Sequence, residues 1–296
     1  MAFFELSSVS YHQVAEVLTR DKSRISISGW FHGPLKTKLV SKTMPFQPIV
    51  QQPSVSLEDM LNPDYLGKGA MDNICNVFLD QSSIELQKFL KPTVYDALVK
   101  ELEAVGQNEG QGTESTLWDE KMGPSHVRSY RRVSSQNQDS IPAVLKQVQT
   151  LFGSALFESY LKKITNLSFL AVNTELRMFK KGDYTLLHDH ALEKDGLDIT
   201  FSFPSLGAGQ AEWSEDWGAG ATHYVAEKSN LLTLYPRANT LTIVLRDEGT
   251  LRFIRYLNSR VGEARRQELS MLFSVNDDEE DDDDEEEEGQ QQEEKQ

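Results

Sequence analysis

The sequence predicts an α+β protein built on an antiparallel jelly roll, with helices ahead of the sheet. Three observations carry this. Between 56 and 165 apolar residues recur with helical spacing, behind capping residues. From 168 onward the period falls to two, and these segments are short and separated by Gly, Asp, Asn and Pro turns. The chain has 296 residues, 39% of them hydrophobic, enough for a sizeable core in one large or two ordinary domains.

Composition removes several classes. No stretch approaches the ~18 consecutive apolar residues of a membrane span, and Met-Ala-Phe-Phe-Glu lacks the basic and apolar regions of a secretion signal. A single cysteine, Cys75, excludes an internal disulfide framework and a cysteine-based zinc cluster, and favours a reducing intracellular setting. It sits in an apolar helical context and is expected to be a buried small hydrophobe. The net charge is −16, but residues 275–296 hold 14 of the 46 acids and one of the 30 bases, leaving −3 for residues 1–274. A near-neutral body gives no general grip on nucleic acid.

Taken in order, residues 3–32 read as strand material, with Arg24-Ile25-Ser26-Ile27-Ser28-Gly29-Trp30-Phe31 alternating with period two. Two strands without partners are marginal, so the chain reads as beginning inside a domain. Residues 34–56 are rich in Pro, Gln, Ser and Lys and read as a linker. Ser56-Leu57-Glu58-Asp59 opens a short helix through a capping box. Ser83 leads into a helical 84–90, Pro92 starts a helix through Val105, residues 106–116 form a loop, and a helix pair spans 141–165 with Gly153 at its break. Strands are predicted at 169–180, 184–188, 197–203, 222–226, 231–235, 240–245 and 251–257. The acidic tail cannot bury apolar surface and is expected to be disordered, serving as a solubilising segment or as a dock for a basic partner.

Four constellations could carry chemistry. His12 and Arg24 lie twelve residues apart on adjacent strand-like segments, where an imidazole can ligate a metal and an arginine fork can hold a carboxylate. The alternative is a surface histidine and an ordinary arginine. His188 and His190, in Tyr184-Thr185-Leu186-Leu187-His188-Asp189-His190, have period-two spacing; His223 is the remaining downstream histidine, and a live site would need all three. Without it the pair is a polar remnant or two satisfied histidines. Trp213 and Trp217 occupy a Gly-rich connection and pack locally or meet a partner. The run His126-Val127-Arg128-Ser129-Tyr130-Arg131-Arg132 mixes cations with an aromatic and could bind phosphates, but in a near-neutral body it reads by default as a solvated loop.

The run Ser8-Val9-Ser10-Tyr11-His12-Gln13-Val14-Ala15-Glu16-Val17, followed by Arg24-Ile25-Ser26-Ile27-Ser28-Gly29-Trp30-Phe31-His32-Gly33, closely resembles the end of a catalytic domain. The family is the eukaryotic, fungal-type Fe(II)/2-oxoglutarate prolyl 3,4-dihydroxylases that modify a small-subunit ribosomal protein. The resemblance covers roughly residues 3–33 and 70–273. It implies two double-stranded β-helix (jelly-roll) domains, a catalytic one and a C-terminal degradation domain that has lost its metal triad. It implies residues 1–33 as the last strands of the catalytic jelly roll, 34–56 as linker, 57–274 as the non-catalytic domain and 275–296 as tail.

By the same resemblance His12 is the distal iron ligand and Arg24 the partner of the 2-oxoglutarate carboxylate. The family's His-x-Asp pair has no counterpart, so the chain looks N-terminally truncated and is expected to be inactive alone. His188 and His190 mark a degenerate second site, with Arg252 or Arg255 in the place that Arg24 holds in the first. The implied cofactors are Fe(II), 2-oxoglutarate and ascorbate. The implied partners are the ribosomal substrate and regulatory proteins bound through the C-terminal domain, in nucleus and cytoplasm. The rival reading is a non-enzymatic module that regulates degradation or translation.

Overall fold

The computed structural model describes residues 14, 16–19, 21–29, 45–49, 53–108, 117–187, 194–207, 210–217, 219–227 and 229–276. Helix α1 (Leu57–Met60) opens on the predicted capping box: the Ser56 hydroxyl accepts from Asp59 N at 3.1 Å and the Asp59 carboxylate returns the bond. Helix α2 (Lys68–Gln81) has no side-chain cap at Gly67, so no start signal marks it; Ile74 and Phe78, four apart, form its buried stripe. Ser82, left-handed at φ 53°, ends α2 and turns the chain into strand β1 (Ser83–Gln87). Residues 84–90 are therefore not helical as expected. Ile84 and Leu86 instead pair with Ile243 and Leu241 at the sheet edge.

Helix α3 (Pro92–Asn108) begins at the predicted proline. Strands β2 (Glu120–Met122) and β3 (Arg128–Arg132) follow. The basic run is thus a strand, with Arg128 buried, rather than a solvated loop. Helices α4 (Ala143–Phe152) and α5 (Ala155–Thr165) form the expected pair, broken by Gly153 as the C-cap and Ser154 as the next N-cap. Then come β4 (Phe169–Phe179), β5 (Tyr184–Thr185), β6 (Gly196–Ser202), β7 (Thr222–Ala226), β8 (Ser229–Leu234), β9 (Thr240–Arg246), β10 (Leu251–Ile254) and β11 (Arg266–Val275). All seven predicted downstream strands form, with ends shifted by a few residues.

The strands make two antiparallel sheets. The main sheet has eight strands in the order β1-β9-β6-β11-β4-β3-β2, with β5 also on β3; the minor sheet is β10-β7-β8. This is a jelly roll with flanking helices. One face of the main sheet is apolar: Leu197, Ile199 and Phe201 of β6 align with Ile243 and Leu241 of β9 and with Met271 and Leu269 of β11. Helices α2, α4 and α5 cover that face through Phe78, Phe152, Phe157 and Leu161, forming the principal core. A second core, with Tyr130, Phe179, Trp213, Trp217, Ile254 and Leu257, lies at the other end. The two tryptophans therefore pack locally.

Two further expectations change. Residues 22–29 are irregular and exposed, not a strand, because a strand needs a neighbouring ladder and none of the described residues pairs with them. Cys75 is only half-buried, since Ile74 and Phe78 take the inward stripe of α2. In the linker, Gln47 pairs with Val172 through N–H···O bonds of 2.8 and 3.0 Å, extending the edge of β4 beyond the reach of β3.

Candidate functional site

Strand alternation sends the second face of the main sheet toward the minor sheet, and that face is charged. Arg177 is opposite Glu268 and Glu175 opposite Ser270 in the β4–β11 register; Ser270 is opposite Thr200 and Leu272 opposite Asp198 across β11–β6. Arg246 of β9 and Arg266 of β11 complete the face. From the minor sheet, Arg252 and Tyr224, paired in register, turn inward to meet it.

Two carboxylates organise the guanidiniums. Glu268 accepts from Arg177 Nη2 at 2.5 Å and from Arg266 Nε at 2.6 Å. Asp198 accepts from Arg246 at 3.2 Å with one oxygen and from Arg252 at 3.1 Å with the other. A third, Glu175, accepts from the Tyr130 hydroxyl at 3.0 Å and from half-buried Arg132 at 3.1 Å. Thr200, Thr222 and the carbonyls of Gly220 and Thr250 accept further Arg N–H groups. Arg177 also lies over the Tyr130 and Phe179 rings, 5.9 and 5.7 Å from their centroids.

Burial opposes ionisation of Glu268, but Arg266, Arg177 and Arg252 outweigh it and hold its carboxyl down at about 2. Burial likewise opposes charge on Arg252, and Asp198 and its other neighbours reverse this, holding it protonated. Burial, reinforced by Asp198, pushes the Tyr224 phenol well above its usual range, so it stays neutral.

As its described residues stand, this interior does not fit an iron ion with a dicarboxylate cosubstrate. Each of its carboxylates already binds guanidinium, and a divalent cation placed among them would face like charges. The cavity that remains, bordered by Glu175, Arg177, Asp198, Arg246 and Arg252, holds about 30 Å³. Small-molecule pockets run to roughly 300–1,000 Å³. Among the described residues no group of three or more His, Cys, Asp and Glu side chains is placed to hold a metal.

The structure brings together few of the residues the sequence singles out. His12, His188 and His190 lie outside the described residues. Arg24 is exposed in irregular chain. Of the alternatives Arg252 and Arg255, Arg252 is the buried, inward-facing one and Arg255 is exposed. His223 faces outward from the minor sheet: its ring stacks on Phe253 at 4.9 Å, and Nδ1 lies 3.1 Å from Thr233 Oγ1. Burial lowers its pKa. Sequence reasoning did not find Glu175, Arg177, Asp198, Arg246, Arg266 or Glu268. The signal that could have found them is a charge at every second position of a strand whose other positions are apolar.

Residues 53–282 match the family described as "oxoglutarate and iron-dependent oxygenase degradation C-term". A prolyl 3-hydroxylase of Xenopus laevis is 30% identical over 303 residues, which cover 88% of this chain and 55% of that protein. A prolyl 3,4-dihydroxylase of Ostreococcus tauri is 25% identical, over 90% of this chain and 62% of that protein. The chain thus spans little more than half the length of such relatives. Among solved structures, a Pseudomonas putida prolyl-4-hydroxylase aligns with a TM-score of 0.45 and 11% identity, over 70% of this chain and 99% of that one.

Proposed function

Because this chain belongs to the oxoglutarate and iron-dependent oxygenase degradation C-terminal family, we propose that it is the C-terminal part of an Fe(II)- and 2-oxoglutarate-dependent prolyl hydroxylase acting on a small-subunit ribosomal protein. In this reading residues 57–274 are a non-catalytic jelly roll that binds regulatory proteins, and 34–56 link it to residues 1–33, the last part of the catalytic domain. His12 serves there as the distal iron ligand and Arg24 as the partner of the cosubstrate carboxylate. Ascorbate keeps the iron reduced, and the protein works in nucleus and cytoplasm.

One observation carries the non-catalytic assignment of the larger domain. Its jelly-roll interior, where a metal and a cosubstrate would have to sit, is filled by Arg177, Arg246, Arg252 and Arg266 with their carboxylates. The test supplies the 296-residue chain with Fe(II), 2-oxoglutarate, ascorbate and a proline-containing peptide of the ribosomal protein. No succinate above the peptide-free blank is expected. Succinate formed in step with peptide hydroxylation would overturn the assignment.

A second reading, a module regulating degradation or translation with no hydroxylase attached, draws on the same filled interior. Hydroxylation by a chain extended upstream of Met1 would decide for the first reading.

A further inference from the structure

We propose that the arginine-bordered cavity between the two sheets binds one halide-sized monovalent anion, such as chloride, which completes the buried charge network. Three observations converge on it. The Nε atoms of Arg177, Arg246 and Arg252 are buried without a hydrogen-bond partner, and all three side chains border the same cavity. A buried guanidinium N–H left without an acceptor is costly, so three around one space call for an acceptor within it.

Charge decides what that acceptor is. At the rim, Arg132 is matched by Glu120 at 2.7 Å. That leaves four buried arginines (Arg177, Arg246, Arg252 and Arg266) against three buried carboxylates (Glu175, Asp198 and Glu268) around this interior; the other buried charges among the described residues, Arg128 and Asp183, add one of each sign. One positive charge is in excess, inside a medium where it is poorly screened. A water molecule would satisfy N–H groups but not the charge. An anion satisfies both.

Size narrows the ligand further. About 30 Å³ accommodates an ion comparable to a water molecule and excludes a five-carbon dicarboxylate. The mouth is fitted for such an ion. Lys194 and Phe46 both border the cavity, with Lys194 Nζ 4.6 Å from the centre of the Phe46 ring. Phe46 is fixed there by the Gln47–Val172 backbone pair and by the Asn173 side chain, which donates to Pro45 O at 2.8 Å. The Lys194 ammonium beside the cavity adds a positive potential that favours an anion there.

The test is a titration of the 296-residue chain with sodium chloride or sodium bromide against sodium gluconate, at constant ionic strength. A saturable rise in Tm with either halide and none with gluconate is expected, because gluconate is too large to enter. Arg252→Gln should abolish the halide-dependent rise while leaving the salt-independent Tm lower. Because that variant removes a buried charge and can fail to fold, a second measurement uses the unaltered protein. Crystals grown in bromide should show an anomalous peak within hydrogen-bond distance of the three Nε atoms. A cavity without that peak, or an equal Tm rise with gluconate, would overturn the proposal.

Discussion

Arg252, on the minor sheet, donates to Asp198, on the main sheet, across 3.1 Å, and so ties together the two halves of the jelly roll. Arg246 takes the other oxygen of the same carboxylate. Removing Asp198 strands two buried guanidiniums at once, whereas removing either arginine leaves the carboxylate one partner. Asp198→Ala is therefore expected to cost about 3–5 kcal/mol, the range for breaking a buried ion pair from one side. Arg246→Met should cost less. Urea unfolding midpoints would check the order, and equal losses would contradict it.

Glu268 makes a pH prediction. Its carboxyl sits at about 2 in the fold, below the ordinary 4.5, because Arg266, Arg177 and Arg252 overcome the effect of burial. A lowered folded value means that the unfolded chain binds the proton more tightly. The stabilisation is complete above about pH 4.5 and is lost as pH falls through that value toward 2. The contribution is about 3 kcal/mol. Glu268→Gln should flatten this part of the stability profile and lower stability near pH 7. A variant whose acid unfolding runs parallel to that of the parent would show that other groups dominate.

Glu16 ties the early chain to the jelly roll. Its carboxylate accepts from Ser259 N at 3.0 Å and from the Ser259 hydroxyl at 2.6 Å, at the start of the 3₁₀ turn Ser259–Val261. The Ser259 hydroxyl bond is the main cause holding this carboxyl below its usual range. The contact is only part-buried and lies at the surface end of the early chain, so Glu16→Ala should leave global stability within about 0.5 kcal/mol of the parent. It should, however, speed limited proteolysis between residues 17 and 29. Unchanged cleavage would mean that Glu16 does not hold the segment.

The sheet was legible where one face of a strand is apolar and its ends carry turn residues, as at Thr222–Ala226 and Phe169–Phe179. Strand β11 was hidden for a physical reason. Its inward positions carry Arg266, Glu268 and Ser270, so a central strand buried on both faces reads as a polar segment. Strand β3 was hidden in the same way by Arg128, Arg131 and Arg132. Periodicity reports which residues are apolar, not which are buried, and here part of the buried surface is ionic. Arg252 came into view only through its resemblance to the place of Arg24. Its partner Asp198 depends on which strands become neighbours, and no local pattern encodes that.

Gly220 joins the charged interior to the second core, and substitution there should separate two costs. Its φ is +71°, and an added Cβ would lie 2.6 Å from the Trp213 ring, closer than two carbons can approach. Its carbonyl accepts from Arg266 Nη1 at 2.6 Å, while the neighbouring Ala219 carbonyl accepts from Trp213 Nε1 at 3.1 Å. Any shift that relieves the ring therefore pulls on the Arg266–Glu268 pair. Gly249 is the control: its φ is +84°, and nothing lies within 4 Å of the Cβ position. Gly249→Ala should cost only the backbone strain of a left-handed alanine, about 1 kcal/mol. Gly220→Ala should add a packing conflict of about 1–3 kcal/mol to a similar strain. Chemical unfolding of the two variants gives the difference. If both lose the same stability, the Trp213 contact yields freely and the second core is looser than its packing implies.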